Sequence, residues 1–188
     1  LRRRGECRKA PGSTLRRTGT AESWSVFLRP RIGEFLKRDP ETAIEVATDL
    51  RLVDIVDESF DAGVRLGEMV THGMVSVPIS PDIEFTVIGS PAYFKTHALP
   101  KKPSALAEHN CIGVRLPTHG KIYSWRFRQN GKYFKFQPTG HFIFNTYFDT
   151  RDACLHGIAL AHLTTSVAQP NIIPADSTPL IDNFSLSH

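Results

Sequence analysis

The chain has 188 residues, 40% of them hydrophobic and 22% charged, with a formal net charge of +4. That content and a continuous apolar pattern suffice for one compact core or two lobes of about 80–100 residues, and they exclude a disordered chain. No apolar run approaches the ~20 residues that cross a bilayer, and no apolar stretch follows the basic opening as a signal peptide requires.

Leu1 to Ala10 is basic and ends at Pro11-Gly12. Residues 1–17 hold seven Lys/Arg and one acid, Glu6. Removing them from the 23 basic and 19 acidic residues leaves 16 and 18, so the body is close to neutral. A polyphosphate partner needs a clustered basic face. Only this tail offers one on the sequence, and a solvated tail is the plainer reading. Leu15 to Thr18 is expected as a first strand, followed by the polar loop Gly19 to Ser23. From Trp24 to Lys37 the apolar residues Trp24, Phe27, Leu28, Ile32, Phe35 and Leu36 fall at helical spacing, with Ser23 in the N-cap place and Pro40 ending the element. Ala43 to Ala47 is expected as a strand with Ile44 and Val46 on one face. Asp49 to Ser59 reads as a second helix and Phe60 to Leu66 as a third strand. This β-α-β-α-β order implies a parallel sheet covered by helices.

Met74 to Ile79 and Ile83 to Ser90 read as consecutive strands, too closely joined at Pro81-Asp82 for a parallel crossover. They mark the exit into a second lobe. Pro91 opens a helix to about His97, Ser104 to Glu108 is a short helical turn, and Cys111 to Val114 is a strand. Tyr123 to Arg128 and Lys132 to Phe136 flank Gln129-Asn130-Gly131, a strong hairpin signal. Trp125 and Phe127 alternate on it as core residues. His141 to Asn145 is a strand, Thr150 to His156 a helix capped by Asp149 or Thr150, and Ile158 to Leu163 an apolar strand interrupted by His162.

Enzymatic signatures are missing from the sequence. G-x-S-x-G, the P-loop, G-x-G-x-x-G, paired C-x-x-C and H-E-x-x-H do not occur. Cys7, Cys111 and Cys154 are too sparse for a disulfide framework and fit buried thiols in a reducing compartment. Cys154, His156 and His162 come nearest to a metal cluster, but a structural histidine is the better reading of His162. No cofactor is implied. An enzyme with acid–base groups around Thr48 and Tyr147 is the weakest reading, because no nucleophile is paired with a base.

What remains is a binding argument. Sheets of this type bind ligands beside helix N-termini, at the carboxyl ends of strands. The loop containing Thr20 and Ser23, before Trp24, is one such place, and Thr48-Asp49 is another. Each offers free backbone N–H groups, a hydroxyl and the positive end of a helix dipole, which suits an anion. Ser23 and Asp49 serve equally as plain caps, and Glu22 and Asp49 add negative charge against an anion. In the second lobe, Asn145-Thr146-Tyr147-Phe148-Asp149 gathers amide, hydroxyl and aromatic groups between a strand and a helix, which suits a small-molecule pocket. Arg65, on the strand leaving the first lobe, can pair with Asp61 or with a ligand, and structural pairing is the plainer reading.

Several pieces in order resemble the effector-binding domain of the LysR-type transcriptional regulators. They are Pro11-Gly12-Ser13-Thr14-Leu15-Arg16, then Pro30, Phe35-Leu36 and Pro40, then Val53-Asp54-Ile55-Val56 and Phe60-Asp61-Ala62-Gly63-Val64-Arg65-Leu66-Gly67. Ser90-Pro91-Ala92-Tyr93-Phe94, Pro100, His109-Asn110-Cys111-Ile112, Trp125, Asp152-Ala153 and Gly157-Ile158-Ala159-Leu160-Ala161 continue the set. The resemblance implies an α/β fold of two Rossmann-like lobes joined by a two-stranded hinge, similar to the type 2 periplasmic binding proteins. Lobe I would be residues 12–80, completed by about 171–188, and lobe II residues 81–170. Residues 1–11 would be the remnant of a linker to a missing winged helix-turn-helix domain, through which alone DNA would be bound. The resemblance implies a cytoplasmic homodimer or higher homo-oligomer with no membrane partner. It would hold a small-molecule effector, a carboxylate or aromatic metabolite, between its lobes. By position the effector contacts fall on Ser23, Trp24, Thr48 and Asn145 to Phe148. A free-standing solute-binding protein of the same fold is the alternative.

Overall fold

The computed structural model describes residues 14–48, 59–65, 75–81, 83–115, 120–129 and 132–168. The chain divides into two compact units, Leu1–Val77 and Pro78–His188.

The first unit is built on a three-stranded parallel sheet of β1 (Thr14–Gly19), β2 (Ala43–Thr48) and β3 (Ala62–Val64), in the order β2-β1-β3. The register sets Gly19 opposite both Thr48 and Val64, so all three strands end together at their carboxyl termini. Along β2, Ile44 and Val46 are half-buried while Ala43 and Glu45 are exposed, the alternation expected of a strand covered on one face. Arg16 ties the unit together. Its guanidinium makes two 3.1 Å hydrogen bonds to the Glu45 carboxylate across the β1–β2 pair and lies 4.9 Å from the Phe60 ring centroid. Its backbone N–H donates to the Asp61 carboxylate at 2.8 Å. The helix expected at Asp49 to Ser59 lies outside the described residues up to position 58.

The first helical run begins at Ala21, three residues before the apolar periodicity starts. It comprises α1 (Ala21–Ser23), a π-helical stretch Trp24–Leu28 and α2 (Arg29–Arg38). Pro30 explains the interruption. Proline has no amide hydrogen, and its ring crowds the carbonyl four residues back. The ladder widens just ahead of it, with the Arg29 N–H donating to the Trp24 carbonyl five residues earlier.

The second unit pairs β4 (Phe85–Ile88) antiparallel with β9 (Ala161–Thr164), and the short β5 (Gly113–Val114) parallel with β8 (Ile143–Phe144). The expected hairpin forms as β6 (Trp125–Gln129) and β7 (Lys132–Phe136), with Gln129 paired to Lys132, which leaves a two-residue connection. Between these lie α3 (Pro91–Phe94), a 3-10 turn Pro103–Glu108, α4 (Tyr147–Leu155) and α5 (Thr165–Ala168). The core gathers Val87, Tyr93, Leu106, Cys111, Trp125, Phe127 and Leu160. Trp125 and Phe127 are buried, as their alternation on the hairpin predicts.

One expected strand is not formed by its described residues. Val75 to Ile79 makes no ladder, and Val75 and Val77 are 94% and 71% exposed. The alternating apolar pattern is present, but a strand needs a paired neighbour, and Pro78 removes a ladder donor.

Candidate functional site

In the first unit, the strand ends and the start of the helical run meet at Gly19. A Cβ there would lie 2.6 Å from Ser23 Oγ and 3.2 Å from the Val64 carbonyl, so only glycine allows the helix this close to the sheet. Thr20, not Ser23, is the N-cap. Its backbone is extended (φ −79°, ψ 158°), and its Oγ1 accepts the Ser23 N–H at 3.1 Å. Ser23 is already helical, and its hydroxyl donates back to the Thr20 carbonyl at 2.8 Å. Glu22 and Ser23 are both buried in this first turn. Trp24 is half-buried and opens the π-helical stretch; Thr48 is exposed at the end of β2. Asp49 lies outside the described residues. Arg65, one residue past β3, donates from Nη2 to the buried Thr18 hydroxyl at 3.1 Å, while Asp61 accepts the Arg16 amide.

In the second unit, Asn145 and Thr146 follow the parallel strand β8. The helix starts at Tyr147, so neither Asp149 nor Thr150 caps it. Thr146 does, with an extended backbone (φ −129°, ψ 149°). Its oxygen accepts the Asp149 N–H at 3.1 Å, and its hydroxyl donates to the Asp149 carboxylate. This reciprocal pair satisfies the first turn and sets a negative charge against the positive end of the helix. Thr150 is turned inward and bonds the Thr146 carbonyl at 2.7 Å. Tyr147 is buried, its ring edge-on to Phe85 at 6.1 Å. Phe148 is half-buried under the Arg151 guanidinium at 5.1 Å, and Asn145 is exposed.

Each unit therefore carries a threonine-capped helix start directly after the carboxyl end of a parallel strand, with an aromatic residue in or beside its first turn. Thr20 and Ser23 belong to one group with Trp24, and Asn145, Thr146, Tyr147 and Phe148 to the other. From sequence, Gly19 is expected only as the start of a polar loop. The signal for its role is a glycine at a strand-to-helix junction.

The Cys154, His156 and His162 group does not converge on a metal. The Cys154 thiol donates to the Ile88 carbonyl at 3.4 Å, and burial pushes its pKa up to about 12. His156 bonds the Asp152 carbonyl of its own helix at 2.7 Å. His162 is fully enclosed, and burial pushes its pKa down to about 3. Among the described residues no group of three or more His, Cys, Asp or Glu could hold a metal ion. No described helix is long and apolar enough to cross a membrane.

Residues 11–177 match the family described as the LysR substrate binding domain. The chain is 34% identical over 175 residues to the HTH-type transcriptional regulator PgrR of Escherichia coli, covering 93% of this chain and 58% of that protein. It is 33% identical over 177 residues to a protein of Pseudomonas aeruginosa named as a transcriptional regulator, covering 94% and 58%. The chain thus spans little more than half the length of these relatives. Among solved structures, the LysR-type regulator CrgA of Neisseria meningitidis superposes with a TM-score of 0.80 at 22% identity, covering 95% of this chain and 59% of that one. The CrgA regulatory domain alone gives 0.74 at 24% identity, covering 90% and 81%. The fold is the two-lobed, type 2 periplasmic-binding-protein-like fold of such regulatory domains. This chain belongs to the LysR substrate-binding domain family, a regulatory domain and not an enzyme.

Proposed function

We propose that the chain is the effector-sensing part of a cytoplasmic transcription regulator, and that Thr20, Ser23, Trp24, Thr48, Asp49, Asn145, Thr146, Tyr147 and Phe148 contact a small-molecule effector. The observation that carries this reading is the repeated placement of a capped helix start after a parallel strand end, in both units, where sheets of this class receive ligands.

The side chains narrow the chemistry. Glu22 and Asp149 occupy the first turns of the two helices and oppose an anion placed squarely on either terminus. Arg65, one residue past β3, sets a positive charge at the strand ends of the first unit, its Nη2 bonded to the Thr18 hydroxyl. Trp24, Tyr147 and Phe148 offer aromatic surface. An aromatic or small aliphatic carboxylate, held through its body as much as its charge, fits this set best. The effector acts by favouring one arrangement of the domain, and so one packing of a homodimer or higher oligomer, over another. It shifts that equilibrium only by its differential affinity for the two.

A thermal-shift screen of small carboxylates and aromatic metabolites tests the reading. A ligand at 100 times its dissociation constant adds about 2.7 kcal/mol to stability. The shift should shrink in Ser23→Ala and Thr48→Ala in one unit and in Asn145→Ala in the other. A hit whose shift survives all three substitutions would place the ligand elsewhere.

A further inference from the structure

Two histidines flank the buried Tyr93 of α3, and none of the three belongs to the proposed effector set. The His97 ring lies flat on the Tyr93 ring, with centroids 4.1 Å and planes 4° apart, and its Nδ1 is 3.0 Å from the Tyr93 carbonyl. His109 Nδ1 stands 3.2 Å from the Tyr93 hydroxyl, and the two imidazole centroids are 6.2 Å apart. His97 is exposed and His109 half-buried, so both rings can exchange protons with solvent.

The direction of these hydrogen bonds follows by elimination. The Asn110 N–H donates to the Tyr93 hydroxyl oxygen at 3.2 Å, and the hydroxyl hydrogen needs an acceptor of its own. Among the described residues that acceptor is His109 Nδ1. His109 is therefore neutral, with its proton on Nε2. A second proton, on Nδ1, would face the hydroxyl hydrogen head-on. Turning that hydrogen away leaves it without an acceptor on a residue only 2% exposed. Asn110 is what the cluster holds in place. Its side-chain amide donates to the Ile158 carbonyl at 3.0 Å and accepts the His141 N–H at 3.0 Å, and its carbonyl accepts the Leu160 N–H at 2.8 Å. One residue thus ties the approach to β9 to the chain that enters β8, and β8 leads straight to Asn145.

We propose that Tyr93, His97 and His109 form a pH-sensitive latch on Asn110, closed while His109 is neutral and opened when it takes up a proton. The titratable and charged groups facing His109 are the Tyr93 hydroxyl and the His97 ring, from α3 and the turn after it, and Glu108 from its own segment. Burial first, and then His97, hold the His109 pKa below its ordinary value, and Glu108 works against them. Burial raises the Tyr93 pKa, so its hydroxyl keeps a hydrogen to donate throughout this range. The Cys111 and Cys154 thiols, which act on Tyr93, are pushed up to about 12 by burial and stay neutral. The latch is therefore closed above the ordinary histidine value of about pH 6.5 and opens progressively as pH falls below it. The inference goes beyond effector sensing and stands wherever the effector binds.

Amide hydrogen exchange, read by NMR on the whole chain between pH 7.5 and 4.5, tests the latch. Each rate is divided by its intrinsic value at that pH. The Tyr123 N–H, bonded to the Val114 carbonyl at 2.7 Å, lies in the same unit without involving Asn110 and reports overall stability. Protection of the Asn110 N–H should fall roughly tenfold relative to Tyr123, the size of one lost hydrogen bond. The midpoint of the fall should coincide with the titration of the His109 ring in the same samples. His109→Gln, whose amide oxygen accepts the hydroxyl without titrating, should abolish the fall. Tyr93→Phe should show the low protection at both ends of the range. His97→Gln should move the midpoint to higher pH, and Glu108→Gln should move it to lower pH. The His109→Gln, His97→Gln and Glu108→Gln variants leave the core intact, so the outcome does not depend on Tyr93→Phe folding. Steady Asn110 protection across the range overturns the proposal. So does an undiminished fall in His109→Gln, or a midpoint that neither His97→Gln nor Glu108→Gln moves.

Discussion

Phe85 and His162 stack with ring centroids 5.1 Å apart and planes 19° apart, on the neighbouring strands β4 and β9. Trp125 stacks on the same imidazole at 5.3 Å, and Phe127 meets it edge-on at 5.5 Å. The His162 Nδ1 is buried with no hydrogen-bond partner among the described residues. Phe85 in turn touches Tyr147, so the neutral imidazole supports one of the proposed effector residues through a single ring.

Burial depresses the His162 pKa to about 3, so the folded second unit favours the uncharged ring. This contribution to stability is fully present above the unfolded value near pH 6.5 and is lost progressively as pH falls from there to the folded value. At pH 5 the loss is about 2 kcal/mol. His109 acts in the same direction, its pKa lowered by burial and by nearby His97 against an opposing effect of Glu108. Urea unfolding of the second unit between pH 7.5 and 4.5 should show the decline, and His162→Phe should flatten most of it. A His162→Phe profile as steep as the parent's would show that another group carries the pH dependence.

The competition between Thr20 and Ser23 for the cap gives a second measurement. Thr20 accepts the Ser23 N–H, and Ser23 adds only a local bond back to the Thr20 carbonyl. Thr20→Ala should cost about 1 kcal/mol, the usual loss of a hydroxyl cap. Ser23→Ala should cost less than about 0.5 kcal/mol, because a mid-turn serine bonding backward does little for a helix. The reverse order of the two losses, read from urea midpoints, would return the cap to Ser23.

These residues also show where sequence reading stops. The hairpin was legible because Asn130-Gly131 sits between alternating strands, and both the turn and the burial of Trp125 and Phe127 are local consequences of that pattern. The first helix was legible from its apolar spacing, but its opening turn, Ala21-Glu22-Ser23, carries no large apolar residue and so adds no periodic signal. The choice among Thr146, Asp149 and Thr150 as cap depends on which residue takes an extended backbone, and three capping residues in five positions leave that open. The strand pattern at Val75 to Ile79 failed for a different reason: alternation states which face is apolar, and pairing is settled by tertiary neighbours. The candidate loops followed from element order and the strand-end rule. The uses of their hydroxyls did not, because those depend on backbone angles.

Gly157 and Gly120 separate backbone strain from crowding. Both have positive φ, +78° and +62°, a region that costs a side-chain-bearing residue roughly 1 kcal/mol. Around Gly120 nothing lies within 4 Å of an added Cβ. At Gly157 the Cβ would meet Ala92 Cβ at 3.1 Å and Ser90 Oγ at 3.3 Å. That Ser90 hydroxyl caps α3 by accepting the Tyr93 N–H at 3.2 Å, so pushing it aside disturbs a second element. Gly120→Ala should therefore lose about 1 kcal/mol, and Gly157→Ala about 2–3 kcal/mol. Adding Ser90→Ala to each should discriminate further. With the hydroxyl already gone, Gly157→Ala should cost visibly less than in the parent, while the cost of Gly120→Ala stays the same. Equal losses at the two glycines would mean that the contact between the end of α4 and the start of α3 yields freely, and that φ alone sets the cost.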